Sequence, residues 1–148
     1  MVRLRVYFYV ICAVAIILLL IASLLSGTKV VVEISGVKIY VEVADNQVKK
    51  YEGLMFRDNL GQNDGMIFPF SENGKYSFWM SNVKLPLDLI WINDEKTVVD
   101  ITENAQPCKV DCPYITSREP AKYVVEVNGG FANRNGIRIG DKASFELK

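Results

Sequence analysis

Apolar and polar residues alternate along much of the chain, a pattern typical of β-strands that bury one side. In GVKIYVEVAD every second residue from Val37 to Val43 is aliphatic, which is the period of a half-buried strand. The preceding stretch, KVVVEISG, predicts a partner strand that turns over at Ser35-Gly36. Further strands are predicted in MIFPF, KYSFWM, LDLIWI, TVVDITE, KYVVEVN and ASFELK.

Turn residues and helix caps punctuate these strands. Residues 93–96, Asn-Asp-Glu-Lys, join LDLIWI to TVVDITE in a predicted hairpin. Asp45 is placed to N-cap a short helix in NQVKKYE that Gly53 ends, and GGFANRNG predicts a second helical turn. Pro69 has no amide hydrogen, so MIFPF is expected at a sheet edge or at a bulge.

These elements predict one mainly β domain with a minor α+β character. The expected fold is a compact β-sandwich or barrel-like domain with one or two short helices. Within it LDLIWI, residues 87–92, is apolar on both faces apart from Asp88, so this strand is predicted to be central. A buried carboxylate needs a partner, and the candidates are Arg57, Lys84 and the backbone amides of residues 82–86.

An uncharged run of 20 residues, Val6 to Leu25, precedes the domain. A helix of that length spans about 30 Å, the thickness of a bilayer core. The run is too long for a cleavable signal peptide and lacks a small-residue cleavage pattern, and no small residues precede Cys12 as a lipoprotein requires. We therefore predict an N-terminal transmembrane signal anchor over residues 1–28 and an extracytoplasmic domain over residues 29–148, oriented by the two arginines before the run.

Charge and composition narrow the possible partners. Residues 29–148 carry 15 basic and 17 acidic side chains, so no basic surface is expected and nucleic acid is not a predicted partner. The chain has no histidine, which excludes histidine-dependent triads and histidine-ligated zinc. No cofactor is predicted. The expected partners are the cell membrane, through the single N-terminal helix, and either a small ligand or a membrane protein.

Two cysteines lie close together in a long loop over residues 104–120. Outside the membrane the pair Cys108 and Cys112 is expected to form a disulfide, worth about 2 kcal/mol for so small a ring; free thiols are expected if the topology is reversed. Three residues separate the cysteines, unlike the two of a thioredoxin-like motif, and two thiolates alone make a poor zinc site.

The candidate recognition surface combines Arg57, Trp79, Asn82 and Asp88 with the 104–120 loop, and Glu103, directly before that loop, is a further ligand-binding candidate. In one interpretation Asn82 and Asp88 are the polar base of a ligand pocket. The walls of that pocket are then Phe78, Trp79 and Trp91. In the other, favoured because buried polar groups usually satisfy other groups, Asn82 and Asp88 form a structural clasp on the backbone where SFWM turns toward the next strand.

A second hypothesis is a carboxylate-dependent hydrolase. Asp88 and Glu103 then serve as acid and base, the roles that two carboxyl groups in unlike environments take in glycosidases. Asp100 and Glu126, by contrast, are predicted to be solvated surface residues, because acidic side chains are rarely buried.

A third hypothesis concerns Met55, Met66 and Met80, whose thioethers could bind a soft metal such as Cu(I). Each of these methionines has Leu, Phe or Trp neighbours, which favours core packing over metal binding.

Six sequence blocks in fixed order resemble the prokaryotic family called domain of unknown function 192. The blocks are GLMFR, GMIFPF, SFWMSN, PLDLIWI, VVDITENAQPC and YVVEVNGGFANRNGIRIGD. The resemblance covers residues 37–147 and implies a compact β-rich domain, often exported or anchored at its amino terminus. It implies no reaction. The leading hypothesis is therefore a membrane-anchored extracytoplasmic binding or accessory domain, and the lack of histidine or a nucleophile motif favours binding over catalysis.

Overall fold

The strands and helices follow the chain in an order close to the predicted one. The computed structural model of the protein describes Tyr7, Tyr9 and residues 11–17 and 29–147. The elements of residues 29–147 are β1 (Val30–Ile34), β2 (Val37–Val43), α1 (Gln47–Glu52), β3 (Asp64–Gly74), β4 (Ser77–Phe78), β5 (Leu87–Ile92), β6 (Val98–Ala105), β7 (Ile115–Thr116), β8 (Ala121–Asn128), α2 (Phe131–Arg134) and β9 (Ala143–Ser144).

The predicted signal anchor, residues 1–28, lies mostly outside the described residues. Those of its residues that are described, including 11–17, are helical. Among the residues that the structure describes, no helix is both long and apolar enough to cross a membrane.

One curled sheet of seven strands forms the domain and confirms the mainly β prediction. Its strand order is β6-β5-β8-β3-β2-β1-β9, and β4 and β7 form a separate two-stranded sheet. The large sheet closes partway into a half-barrel, as strongly twisted sheets do, so the fold is not a sandwich of two large sheets. Strands β2 and β3 are parallel, and α1 lies in the crossover between them.

Strand β5 is an inner strand, as its two apolar faces predicted, and lies next to the edge strand β6. It pairs with β6 in the predicted hairpin and with β8 on its other side, and all six of its residues are buried. Leu87, Leu89 and Trp91 enter one core cluster, whereas Ile90 and Ile92 enter another. Both faces of the large sheet are therefore covered.

The two core clusters differ in composition. The cluster that we call the aliphatic core is rich in Val and Ile and includes Phe131 of α2. The cluster that we call the aromatic core is buried around Met66, Phe68 and Trp91, with partly buried rings against it. These partly buried rings are Phe70, Tyr76 and Phe78. Since each buried large apolar side chain contributes about 1.5–3 kcal/mol, both clusters hold the sheet in its curled form.

Local details depart from the predictions in three places. The N-cap of α1 is Asn46, whose side chain accepts the Lys49 N–H at 3.0 Å, and the predicted cap Asp45 instead pairs with the Lys49 ammonium at 3.0 Å. Pro69 lies in an inner strand, and the register shift between Pro69 and Gly74 shows that the bulge, not the edge, accommodates it. The strands predicted in KYSFWM and ASFELK are only two residues long, as β4 and β9.

The loop between β6 and β8 is fastened to the β4 side of the molecule. Cys108 and Cys112 form the predicted disulfide, with their Cα atoms 5.6 Å apart. The Cys108 N–H donates to the Met80 carbonyl at 3.2 Å, and the Cys108 carbonyl accepts from the Asn82 N–H at 3.3 Å. Strand β7, which follows the disulfide, pairs with β4. The loop therefore has a fixed position beside the aromatic core.

Candidate functional site

A cavity of about 420 Å³ opens beside the aromatic core. Its lining comes from α1, β3, β4, the segment after β4, the disulfide loop and β8. Seven of its fifteen lining residues are aromatic, which makes stacking and apolar contact the main interactions it offers. These rings belong to Tyr51, Phe68, Phe70, Tyr76, Phe78, Trp79 and Tyr114.

Ring-to-ring contacts hold the cavity wall together. Trp79 lies between two rings from distant segments: Tyr51 of α1 meets it edge-on at 5.9 Å, and Tyr114 of the disulfide loop stacks on it at 6.1 Å. Phe70 and Tyr76 stack at 3.5 Å. Because each ring contacts another, the wall is preformed, and Cys112 constrains the backbone two residues before Tyr114.

A buried carboxyl group, that of Glu126, lines this aromatic cavity, and the exposed Glu52 lines it as well. The residue is only 5% exposed, and among the described residues its Oε2 has no hydrogen-bond partner. Burial raises the pKa of Glu126 to about 8, and the positive charge of Arg57 opposes part of that rise. The group is therefore mostly a neutral carboxylic acid at pH 7, able to donate or accept a hydrogen bond.

Strand pairing explains why Glu126 points into the cavity. On β8 it lies opposite Met66 of β3 and Leu89 of β5, and both of these belong to the aromatic core. Its neighbours Val125 and Val127 enter the aliphatic core, as the alternation of a strand requires. The prediction that Glu126 is a solvated surface residue is wrong, because β8 is an inner strand covered on both faces.

Asp88 lies on the opposite face of the sheet and acts as a clasp. It is fully buried. Its Oδ1 accepts the N–H groups of Asn104 at 2.7 Å and Gly130 at 2.8 Å, and its Oδ2 accepts that of Ala132 at 2.9 Å. Gly130 turns its N–H toward Asp88 at φ +74°, a conformation that glycine adopts without strain. Asp88 thus joins β5 to the β6 bulge and to the start of α2.

The partners predicted for this clasp were wrong, although Asp88 does satisfy backbone groups. Lys84 pairs with Asp58 at 2.7 Å, and Arg57 binds Glu42 through two hydrogen bonds of 2.6 and 2.7 Å. These bonds lower the pKa of Glu42. Sequence proximity suggested residues 82–86, whereas the amides that Asp88 accepts come from segments more distant in the chain.

The other candidate recognition residues are dispersed. Trp79 lines the cavity. Asn82 is exposed, has φ +57° and accepts the Phe56 N–H through its backbone carbonyl at 2.9 Å. Of the predicted pocket, Phe78 and Trp79 are in the wall, whereas Trp91 is fully buried behind Phe78 at 5.4 Å. Asn82 and Asp88, which were predicted at the base of this pocket, do not line the cavity, and its buried carboxyl group is that of Glu126.

The structure separates the two carboxylates of the hydrolase hypothesis. Glu103 is exposed, whereas Asp88 is inaccessible to solvent and accepts three backbone N–H groups. A substrate at the surface cannot reach a carboxylate that is enclosed in this way, so Asp88 and Glu103 do not form an acid–base pair.

Asp100 is also buried, at 3% exposure, which corrects its prediction as a surface residue. Burial alone raises the pKa of Asp100, but hydrogen bonds from the side chain and backbone of Arg118 and from the Ile101 N–H outweigh it and lower that pKa. Unlike Glu126, Asp100 is therefore an ionised and fully paired structural carboxylate.

The three methionines of the metal hypothesis share the aromatic core. Met66 and Met80 are buried in it, and Met55 is partly buried against it; Met55 also lines the cavity. Over the described ranges, no group of three or more His, Cys, Asp and Glu side chains is arranged to hold a metal ion. The methionine contacts are those of core packing.

Sequence reasoning missed Glu126 and the rings of Tyr51 and Tyr114. A usable signal existed for Glu126, because an acid within VVEV interrupts an apolar run as Asp88 interrupts LDLIWI. No comparable signal marks Tyr51 or Tyr114, which are exposed tyrosines in a short helix and a loop. Only the fold brings them to Trp79.

Comparisons with known proteins agree on one family. The profile of domain of unknown function 192, described as uncharacterised ACR, matches residues 30–145. A UPF0127 protein of Pyrococcus abyssi is 32% identical over 71% of this chain and 85% of its own length. A UPF0127 protein of Pyrococcus furiosus is 32% identical over 74% of this chain and 89% of its own.

Two solved structures are similar in both fold and sequence. A Sinorhizobium meliloti protein provisionally described as a transcription regulator has a TM-score of 0.75 and 34% identity, covering 82% of this chain and 96% of its own. A protein of unknown function from Novosphingobium aromaticivorans has a TM-score of 0.72 and 35% identity, covering 81% of this chain and 88% of its own. The chain therefore belongs to the domain of unknown function 192 family, and both Pyrococcus relatives that it matches are named UPF0127 proteins.

Proposed function

We propose that the domain is a small-molecule binding module and that the aromatic cavity is its binding site. The observation that carries this proposal is the Glu126 carboxyl group, which lines an apolar cavity and whose Oε2 has no hydrogen-bond partner within the described part of the chain. Leaving such a group buried and unpaired costs free energy, and a ligand in the cavity would remove that cost by pairing with it.

The lining also indicates the shape of the ligand. Stacked and edge-on rings favour a compound with a flat or apolar body, and a single buried carboxyl favours one polar group at the inner end. The cavity volume of about 420 Å³ falls within the range of small-molecule sites. No reaction is proposed, because Asp88 is enclosed and Glu103 lies outside the cavity.

We further propose that the domain works outside the cell membrane, held there by a single-pass anchor over residues 1–28. The uncharged run and the two arginines before it support this placement, and the Cys108–Cys112 disulfide supports an oxidising compartment. Nucleic acid is not proposed as a partner, since residues 29–148 carry 15 basic and 17 acidic side chains.

A fragment screen on the purified full-length chain tests the binding proposal. Saturation-transfer NMR would detect aromatic and aliphatic fragments, each also tested against Tyr114→Ala and against a control variant, Tyr40→Ala. Both tyrosines are exposed, at 70% and 44%, but only Tyr114 lines the cavity. We expect fragments that lose about tenfold in affinity with Tyr114→Ala and none with Tyr40→Ala, the scale of one aromatic contact. The proposal would be contradicted if no fragment binds, or if the affinities of the fragments that bind are unchanged by Tyr114→Ala.

A further inference from the structure

We propose that the cavity selects an organic ammonium compound, an apolar body bearing a positively charged nitrogen that pairs with the Glu126 carboxylate. This inference rests on the binding function proposed above and names the chemical class of the ligand. It follows from three features of the cavity: its balance of charges, the faces of its rings and the lack of a hydrogen-bond partner for Glu126 Oε2 among the described residues.

The balance of charges favours a cation. Besides Glu126, the formally charged residues that line the cavity are Lys50 and Glu52, which cancel. Arg57 acts on Glu126 through its charge, but both of its terminal nitrogens are bound by Glu42. With Glu126 ionised, the lining carries one uncompensated negative charge. An anionic ligand would meet the Lys50 ammonium but also the two carboxylates of Glu52 and Glu126.

The ring faces favour a cation as well. Aromatic faces carry negative potential and attract ammonium groups within about 6 Å of the ring centroid. One such contact already exists in the wall, where the Lys50 ammonium lies 4.7 Å from the centroid of Phe70. Tyr51, Trp79 and Tyr114 offer further aromatic surface to a bound ligand, so the cavity presents a charged nitrogen with aromatic rings as well as the Glu126 carboxyl group.

The buried acid couples this recognition to pH. A cation pairs with the ionised carboxylate of Glu126. When Glu126 is neutral before binding, it releases one proton to solvent as the cation binds, and the ligand itself is chemically unchanged. Because the pKa of Glu126 is about 8, the affinity for a permanent cation rises about tenfold per pH unit below pH 7 and levels off above pH 8. The other charged or titratable residues that face the cavity or Glu126 are Lys50, Tyr51, Glu52, Arg57, Tyr76 and Tyr114.

A matched pair of probes separates charge from shape. Phenyltrimethylammonium is a permanent cation, and tert-butylbenzene is its uncharged isostere. Their affinities for the full-length chain would be measured by NMR between pH 6 and pH 9, in the wild type, in Glu126→Gln and in Glu103→Gln. The last is a control for charge, because Glu103 is exposed and lies outside the cavity.

The expected result is a cation affinity that rises about tenfold from pH 6 to pH 7 in the wild type and in Glu103→Gln. The neutral probe should show no such rise. In Glu126→Gln the cation should lose its pH dependence and at least tenfold in affinity at pH 8, whereas the neutral probe should still bind. If Glu126→Gln does not fold, the pH dependence of the two probes in the wild type decides the question.

Two other outcomes would overturn the inference in distinguishable ways. If the neutral probe binds and the cation binds without pH dependence, or not at all, the ammonium class is wrong but the cavity remains a binding site. If neither probe binds at any pH, both the ligand class and the proposed function fail.

Discussion

Asp88 and Glu126 are two buried acids on neighbouring strands, and their surroundings differ completely. On paired strands β5 and β8, Asp88 lies opposite Val127, and Glu126 lies opposite Leu89. Both acids are buried, but they point to opposite faces of the sheet. Asp88 accepts three backbone N–H groups, whereas Glu126 Oε2 finds no hydrogen-bond partner in the described chain.

The difference shows how the surroundings of a buried carboxyl indicate its role. A carboxylate whose oxygens are fully used by backbone amides organises loops and has no capacity left for a ligand. One that faces a cavity keeps that capacity, and the fold tolerates its cost by keeping it protonated. The sequence suggested Asp88 as a site residue and Glu126 as a surface residue. In the structure Glu126 lines the cavity, whereas Asp88 is buried away from it and binds backbone amides.

The largest predicted effect comes from removing the clasp. Asp88→Ala leaves the N–H groups of Asn104, Gly130 and Ala132 without their acceptor, and each buried orphan costs about 1–3 kcal/mol. We expect a loss of about 3–5 kcal/mol in the free energy of unfolding, measured by urea denaturation at pH 7. Glu126→Ala, which removes no such acceptor, should cost clearly less. If Asp88→Ala and Glu126→Ala lose the same free energy of unfolding, Asp88 does not have the special structural role that its three hydrogen bonds indicate.

The next effect is the pH dependence of stability. Glu126 has a folded pKa of about 8, above the ordinary value of 4.5, so the folded state holds a proton that the unfolded state releases between those values. The free energy of unfolding therefore falls as pH rises from about 4.5 to 8, by up to about 1.4 kcal/mol per pH unit from this group. Above pH 8 its contribution is constant.

Glu126→Gln should remove this slope in denaturation curves recorded from pH 5 to pH 9. The pKa values of Glu42 and Asp100 are lowered instead, so the stability they contribute is lost only as pH falls through the acidic range below about 4.5. The two windows do not overlap. A wild type and a Glu126→Gln variant with the same slope above pH 5 would show that Glu126 is not the group responsible.

A smaller effect is expected from the disulfide that fixes the cavity wall. Replacing Cys112 by Ser opens a ring closed across a sequence separation of 4, worth about 2 kcal/mol of stability in the loop-entropy description. Because Tyr114 stacks on Trp79 in the cavity wall, loss of the disulfide should also weaken the binding of any ligand in the cavity. Cys12→Ser is the control, since Cys12 has no disulfide partner among the described residues. Unchanged binding after Cys112→Ser would show that the loop does not need the disulfide to hold Tyr114.

The smallest effect should come from Arg57→Gln. Its ion pair with Glu42 is partly exposed, and such pairs contribute about 1 kcal/mol or less and weaken with salt. The informative readout is the pKa of Glu126, which should rise because the charge of Arg57 holds it down. Arg138→Gln, which removes an exposed arginine elsewhere, should leave that pKa unchanged. If the pKa of Glu126 is the same in the wild type and in Arg57→Gln, the charge of Arg57 does not act on the cavity carboxyl group.

The elements of the fold were largely predictable because they follow local rules. The alternation along β2, the turn of residues 93–96 and the two apolar faces of β5 predicted a mainly β domain with the β5–β6 hairpin. The curl of the sheet and the parallel pairing of β2 with β3 depend on contacts between distant segments, which a single sequence does not reveal.

The site was less predictable because it is assembled from separate segments. Tyr51, Trp79, Tyr114 and Glu126 come from a helix, the segment after β4, a loop and an inner strand. Of these four, only Trp79 was predicted to contact a ligand, as a wall of the pocket. The burial of Glu126 depends on the position of β8 between β3 and β5, and the pattern within β8 does not specify its neighbours.

Whether the cavity holds a buried neutral acid is tested most directly by the pKa of the Glu126 side chain itself. A ¹³C NMR titration of the glutamate carboxyl carbons between pH 3 and pH 10, with Glu126 assigned by its absence in Glu126→Gln, measures it. A pKa of about 8 would establish a buried acid kept neutral at the cavity. A pKa near 4.5 would mean that Glu126 is solvated or paired, and would contradict both the proposed site and its preference for a cation.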